Sequence, residues 1–148
     1  MELKPISTQE DASKEIFNSP DCQSLLEAYK NYYPVIGYNP PWIGYFIFKN
    51  GIIAGSCGFT GKPKNYKIEI AYWTFKAFEN QGIASFACQQ LIEIAQKENP
   101  SLIITAKTAS EENSSNHILK KQGFSFSGIV QDQEIGDAWL WELHPSIV

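Results

Sequence analysis

The chain is 148 residues long, enough for one hydrophobic core and one domain. Hydrophobic residues make up 43% and charged residues 19%, a composition that excludes a disordered or fibrous protein. The formal net charge is −4 and no run of lysine or arginine forms a stripe, which argues against nucleic acid as a partner, because phosphate binding needs clustered cations.

In chain order, Glu2–Ile6 has the pattern of a short strand. Ser7 or Thr8 is placed to cap a helix running towards Phe17, with Pro20 interrupting it and Asp21 capping a second helix that carries Leu25, Leu26 and Tyr29. Residues 30–41 contain three prolines and a glycine and read as a loop rich in tyrosine. Trp42–Lys49 is an aromatic and β-branched strand, and Asn50-Gly51 is the strongest hairpin signal in the chain. Ile52–Thr60 returns as its partner, with Gly55 and Gly58 marking a bulge or a close approach. After a turn at Gly61–Asn65, Lys67–Thr74 alternates cleanly: Ile68, Ile70 and Tyr72 on one face, Glu69, Ala71 and Trp73 on the other.

Ile83–Glu98 has helical periodicity, with Ile83, Ala87, Leu91, Ile94 and Ala95 on one stripe, and ends before Pro100. Leu102–Thr108 is a short apolar strand. Asn113–Gln122 is a helix closed by Gly123, and Ser125–Gln133 and Ala138–Leu143 are two more strands. The alternation of elements predicts an α/β (α+β) domain spanning residues 1–148.

Cys22, Cys57 and Cys88 are odd in number and lack metal-ligand spacing, so no metal site is expected and the thiols read as reduced. A nucleophilic pair with His117 or His144 is the sharper alternative; inert thiols are the plainer one. MELKPISTQED has no apolar stretch of a signal peptide, and no segment is long enough to span a bilayer. The expectation is a soluble, cytoplasmic protein without a membrane partner.

Chemistry concentrates in one strand–loop–helix stretch. Gly82 lets the backbone approach a ligand closely, and the helix that follows it presents unpaired N–H groups and partial positive charge. Backbone amides over Gln81, Gly82, Ile83, Ala84 and Ser85 suit a diphosphate; a tight turn alone would also need the glycine. No lysine follows the loop as a nucleotide P-loop requires, which disfavours a nucleotide-binding domain. Glu69 sits between Ile68 and Ile70, where partial burial would suit a general base; a surface carboxylate or a structural ion pair is the plainer reading. N–H groups near Trp73 or Thr74 are placed to polarise a carbonyl. Asn113 and Ser115 open the last helix, where capping is the alternative role. Tyr32, Tyr33, Tyr38, Trp42 and Tyr45 form an aromatic group able to hold a cation or to pack ordinarily.

IAGSCGFTGKP, IEIAYW, ENQGIAS and SEENSSNHILKKQGF occur in the order and spacing of the GNAT N-acetyltransferases, which the chain resembles, closest to the branch of ribosomal-protein N-terminal acetyltransferases. The likeness covers residues 42–124 most closely. It implies a splayed, mostly antiparallel mixed sheet of about seven strands with about four helices. It also implies acetyl-CoA as donor and direct attack by a primary amine, either a small molecule or a protein N-terminus, in a monomer or homodimer. Residue by residue, Gln81 to Ser85 would hold the pyrophosphate, Asn113 and Ser115 the pantetheine arm, Trp73 and Thr74 the thioester, and Glu69 would take the proton. Tyr32, Tyr33, Tyr38 and Trp42 would border the acceptor. Two positions depart from the family pattern: Glu79 stands where Gln or Arg is usual, and Leu119 where a tyrosine acid is common. A GNAT fold that binds acyl-CoA without turnover is the alternative.

Overall fold

The computed structural model describes residues 1–111 and 113–145; the span expected for the domain, 1–148, includes four residues outside these. Seven strands form one sheet: β1 (Glu2–Pro5), β2 (Gly44–Lys49), β3 (Ile52–Phe59), β4 (Lys67–Thr74), β5 (Ile103–Ala109), β6 (Ser125–Asp132) and β7 (Gly136–Leu143). Their order is β1-β2-β3-β4-β5-β7-β6, and only the β4–β5 pair is parallel. Three α-helices complete the domain: α1 (Pro20–Ile36), α2 (Ile83–Glu98) and α3 (Ser114–Lys121).

The predicted helix from Ser7 to Phe17 does not form; only a 3-10 turn at Glu15–Phe17 does. The competing bonds are local. Glu10 accepts from the Ser7 N–H, and the Asp11 carboxylate takes both the N–H and hydroxyl of Ser13, so short polar side chains satisfy the backbone outside a helix. The described residues therefore hold three α-helices rather than four.

Pro20 starts α1 instead of interrupting a helix, because the first helical position needs no N–H. Ser19, not Asp21, is the cap, accepting from the Cys22 N–H at 3.1 Å; such a bond stabilises a helix by about 0.5–2 kcal/mol. The expected loop over 30–41 is also corrected, since α1 continues through Pro34 to Ile36. Pro34 deprives the Lys30 carbonyl of its partner, but both residues are exposed and water can serve it. Tyr33 holds this end down: its hydroxyl donates to the Ile6 carbonyl at 2.7 Å and accepts from the Gly44 N–H at 3.1 Å.

Apolar periodicity places α2 across β3 and β4, with Ala87, Leu91 and Ala95 fully buried against the sheet. Ile68 and Ile70 of β4 point into the same core. The β2–β3 pair shifts register between Ile47 and Phe48, so Ala54 bulges out and accepts from the Phe75 N–H at 2.9 Å. Gly58 is needed on β3: a Cβ there would lie 2.6 Å from the Ile43 carbonyl oxygen and 2.7 Å from the Gly44 Cα.

Candidate active site

β4 and β5 pair over only Lys67–Ile70 and Ile103–Ala106, then part. The parity of β4 fixes what faces the opening. The Glu69 carbonyl accepts from Thr60 N–H, and the Phe75 N–H donates to Ala54, so odd-numbered residues bond towards β3. Even-numbered Tyr72 and Thr74 therefore turn their N–H and C=O into the gap. The predicted Trp73 amide is not available there, because Trp73 pairs with Ser56 of β3.

On the helical face of the gap lies a cavity of about 610 Å³, lined by Tyr72, Trp73, Thr74, Phe78, Glu79, Asn80, Gly82, Ile83, Ala84, Ser85, Ser114, Ser115 and Ile118. Gly82 caps α2 with φ +78, no side chain caps the helix, and a Cβ on Gly82 would meet nothing within 4 Å. The first amides of α2 are thus open to an anion. The Tyr72 hydroxyl is buried and has no hydrogen-bond partner. Burial pushes its pKa above the usual tyrosine range, and Ser115 opposes this in small part without forming a well-made bond. These features fit a pantetheine diphosphate: an open amide cradle, free strand groups and an orphaned hydroxyl.

Other predicted residues lie elsewhere. Gln81 does not line the cavity; its Oε1 accepts from Lys49 Nζ at 2.6 Å. Lys49, which the sequence reading missed, is thereby tethered to the loop that carries Glu79. It stands at the end of β2, and no local pattern links it to residues 79–82. Asn113 is spent on capping α3, accepting from the Asn116 N–H and side-chain amide. Tyr33 and Trp42 are buried structural groups: Tyr33 joins β1 to β2, and Trp42 packs edge to face on Phe59 at 5.0 Å. Tyr38 is half-exposed and abuts Tyr33. Leu119 is fully buried, so the residues of α3 that line the cavity are Ser114, Ser115 and Ile118.

The opposite face of the gap carries Glu69. Its carboxylate lies 3.4 Å from Lys107 Nζ, which is 3.7 Å from Asp132. Tyr32 is the aromatic residue beside it: burial first, then the charge of Glu69, raises the Tyr32 pKa. Asp132 is held below the usual carboxylate range chiefly by the backbone N–H of Glu134. Cys57 and Cys88 are buried and pushed upward by desolvation, Cys88 to about 12, and the described residues show no disulfide. They are not nucleophiles.

The splayed sheet thus presents an uncapped helix start on one face of the gap and a carboxylate on the other. The chain belongs to the acetyltransferase (GNAT) domain family, whose model matches residues 3–125. It is 31% identical over 103 residues to YdaF of Bacillus subtilis (strain 168), provisionally named a ribosomal N-acetyltransferase, covering 63% of this chain and 56% of that protein. It is 29% identical over 97 residues to the ribosomal-protein-serine acetyltransferase of Escherichia coli (strain K12), covering 64% and 54%. The chain thus spans about half the length of the curated relatives it matches. Among solved structures, yncA of Salmonella typhimurium, provisionally named an acetyltransferase and solved with acetyl-CoA, shares the fold with a TM-score of 0.67 and 16% identity, covering 100% of this chain and 95% of that one. No helix of the described residues is long and apolar enough to cross a membrane.

Proposed function

We propose that this chain is an acetyl-CoA-dependent N-acetyltransferase acting on a primary amine, either a small molecule or the N-terminus of a protein. The observation that carries the reading is the gap between β4 and β5. It joins a cavity fit for the coenzyme, lined by Tyr72, to the face that presents Glu69. The family membership and the provisional and assigned names of the relatives support it.

Acetyl-CoA supplies a thioester, whose thiol has an ordinary pKa of about 8.5 and leaves readily near neutral pH. The amides at Gly82–Ser85 hold the pyrophosphate, and Lys49, bonded to Gln81, brings a positive charge to the loop that carries Glu79. The N–H groups of Tyr72 and Thr74 polarise the acyl carbonyl. Glu69 takes a proton from the incoming ammonium, directly or through water. A C–N bond forms as the C–S bond breaks; the nitrogen gives its second proton to the departing sulfur or to water, and the Tyr72 hydroxyl, kept protonated by burial, donates a hydrogen bond to that sulfur. Ser115 lies beside that hydroxyl. Trp73 and Ser114 wall the cavity, and Tyr32 borders the acceptor.

The test is release of free thiol from acetyl-CoA over a panel of amines, with the acetylated product weighed by mass spectrometry. Turnover with at least one amine supports the reading. Coenzyme binding without thiol release from any amine would replace it with a non-catalytic acyl-CoA-binding module.

A further inference from the structure

We propose that the acceptor carries an anionic group as well as its amine, and that Lys62 and Lys64 recognise it in a groove shared with Glu69. This rests on the acetyltransferase reading and names the substrate class of the same site.

A cavity of about 340 Å³ opens on the Glu69 face and is bordered by Thr60, Lys62, Lys64, Lys67 and Glu142. Three of the chain's 12 basic residues thus stand within six positions. They alternate with other residues, so no run of charge is visible in the sequence. The structure sorts their charges. Lys67 is spent on Glu142 at 3.0 Å, and Glu69 is matched by Lys107 at 3.4 Å. Lys62 and Lys64 are exposed and have no carboxylate partner among the described residues. The lining sets three lysines against two carboxylates, a net positive charge in a chain whose formal net charge is −4.

These lysines are not on a loose loop. Lys64 and Lys67 exchange both backbone hydrogen bonds at 2.9 Å, and the two residues between them, Asn65 and Tyr66, have φ of 52 and 60. That is a tight hairpin turn with both central residues in the left-handed region. The Tyr66 carbonyl accepts from the Ile103 N–H at 2.8 Å, which ties the turn to β5. At the other end, Thr60 N–H donates to the Glu69 carbonyl at 3.1 Å. The cations are therefore held on a fixed ribbon that begins beside Glu69. An ammonium at Glu69 and an anion at Lys62 and Lys64 match this arrangement, since fixed complementary charge selects among ligands more than it tightens them all.

Initial rates at saturating acetyl-CoA test the idea with matched acceptors: the peptide amides Ser-Asp-Glu and Ser-Asn-Gln, and an ω-amino carboxylate with its carboxamide. Within at least one pair, kcat/KM should favour the anionic member by on the order of ten-fold, and salt should narrow the ratio. In Lys62→Gln/Lys64→Gln the ratio should fall to about one through KM, with the melting temperature as a control for folding. Lys62→Glu/Lys64→Glu should invert it. A preference confined to the peptides identifies a polypeptide N-terminus, and one confined to the small pair identifies an amino carboxylate; either supports the proposal. A ratio near one in the native chain, or one unchanged in the double variant, overturns it while the acetyltransferase reading stands. No acetylation of any amine overturns both.

Discussion

Lys107 Nζ lies 3.4 Å from Glu69 Oε1, so the candidate base already holds a primary ammonium on the face where an acceptor must arrive. Asp132 Oδ2, at 3.7 Å from the same nitrogen, offers that cation a second seat. The lysine and the acceptor compete for one carboxylate. Lys107→Met should lower KM for the acceptor by about three-fold or more, with a change in stability below about 1 kcal/mol, as partly exposed ion pairs give. A raised or unmoved KM in steady-state kinetics would count against the competition.

Glu69→Gln keeps the shape of the side chain and removes its basicity. Turnover should fall by roughly 10²–10⁴-fold, while KM for acetyl-CoA, which sits on the other face of β4, should barely move. Undiminished turnover at neutral pH would return Glu69 to a structural ion pair.

Tyr72→Phe separates stability from catalysis. The native hydroxyl is buried without a partner, and such a group costs about 1–3 kcal/mol. The variant should melt at the same temperature or higher, yet turn over more slowly, with its largest deficit at alkaline pH. A fall in melting temperature with unchanged kcat would show that the hydroxyl serves the fold.

Gly82→Val tests the amide cradle. A Cβ there meets no neighbour, but φ of +78 suits a β-branched residue poorly, so the fold should lose about 1–3 kcal/mol. Acetyl-CoA at 100 times its dissociation constant should stabilise the native protein by about 2.7 kcal/mol and the variant by much less. An equal thermal shift in both proteins would remove the pyrophosphate from this helix.

Glu142 governs acid stability on the acceptor face. The bond from Lys67, then those from Ser127 and His144, hold it below its ordinary value of 4.5. A lowered carboxylate contributes stability above its unfolded pKa and loses it as pH falls through the folded one. The gap in melting temperature between native protein and Glu142→Gln should therefore be full at neutral pH and close below about pH 4. A gap that persists unchanged into acid would exclude the charge as its source.

Much of the architecture was legible because each element carried its own period. Lys67–Thr74 and Ile83–Glu98 form with the predicted bounds, and both are fixed by apolar repeats that only one secondary structure can bury. The Asn50-Gly51 hairpin is likewise set by two adjacent residues, both at positive φ. What local pattern could not decide was competition. Pro34 reads as a breaker, but the buried, doubly bonded Tyr33 beside it keeps the helix going. At the site, Gly82, Ala84, Ser85 and Ser115 come together as their strand–loop–helix setting suggests. Gln81, Tyr33 and Trp42 do not, because their partners, Lys49, Ile6 and Phe59, are distant in sequence. Leu119 aligns with a family acid but is sealed in the core; a tyrosine there would overpack it by about 1–3 kcal/mol.

Only four residue pairs, Lys67–Ile70 with Ile103–Ala106, stitch β4 to β5. Beyond them the sheet is two half-sheets with a missing rung on each side. A ligand chain bearing its own amides, laid in that cleft, would bond to Tyr72 and Thr74 as a neighbouring strand does and restore the continuity. Amide hydrogens of these two residues should then exchange freely in the empty protein and become protected on coenzyme binding. Under the proposed function the coenzyme would serve as a temporary strand, and the rigidity of the sheet's centre would be borrowed once per catalytic cycle.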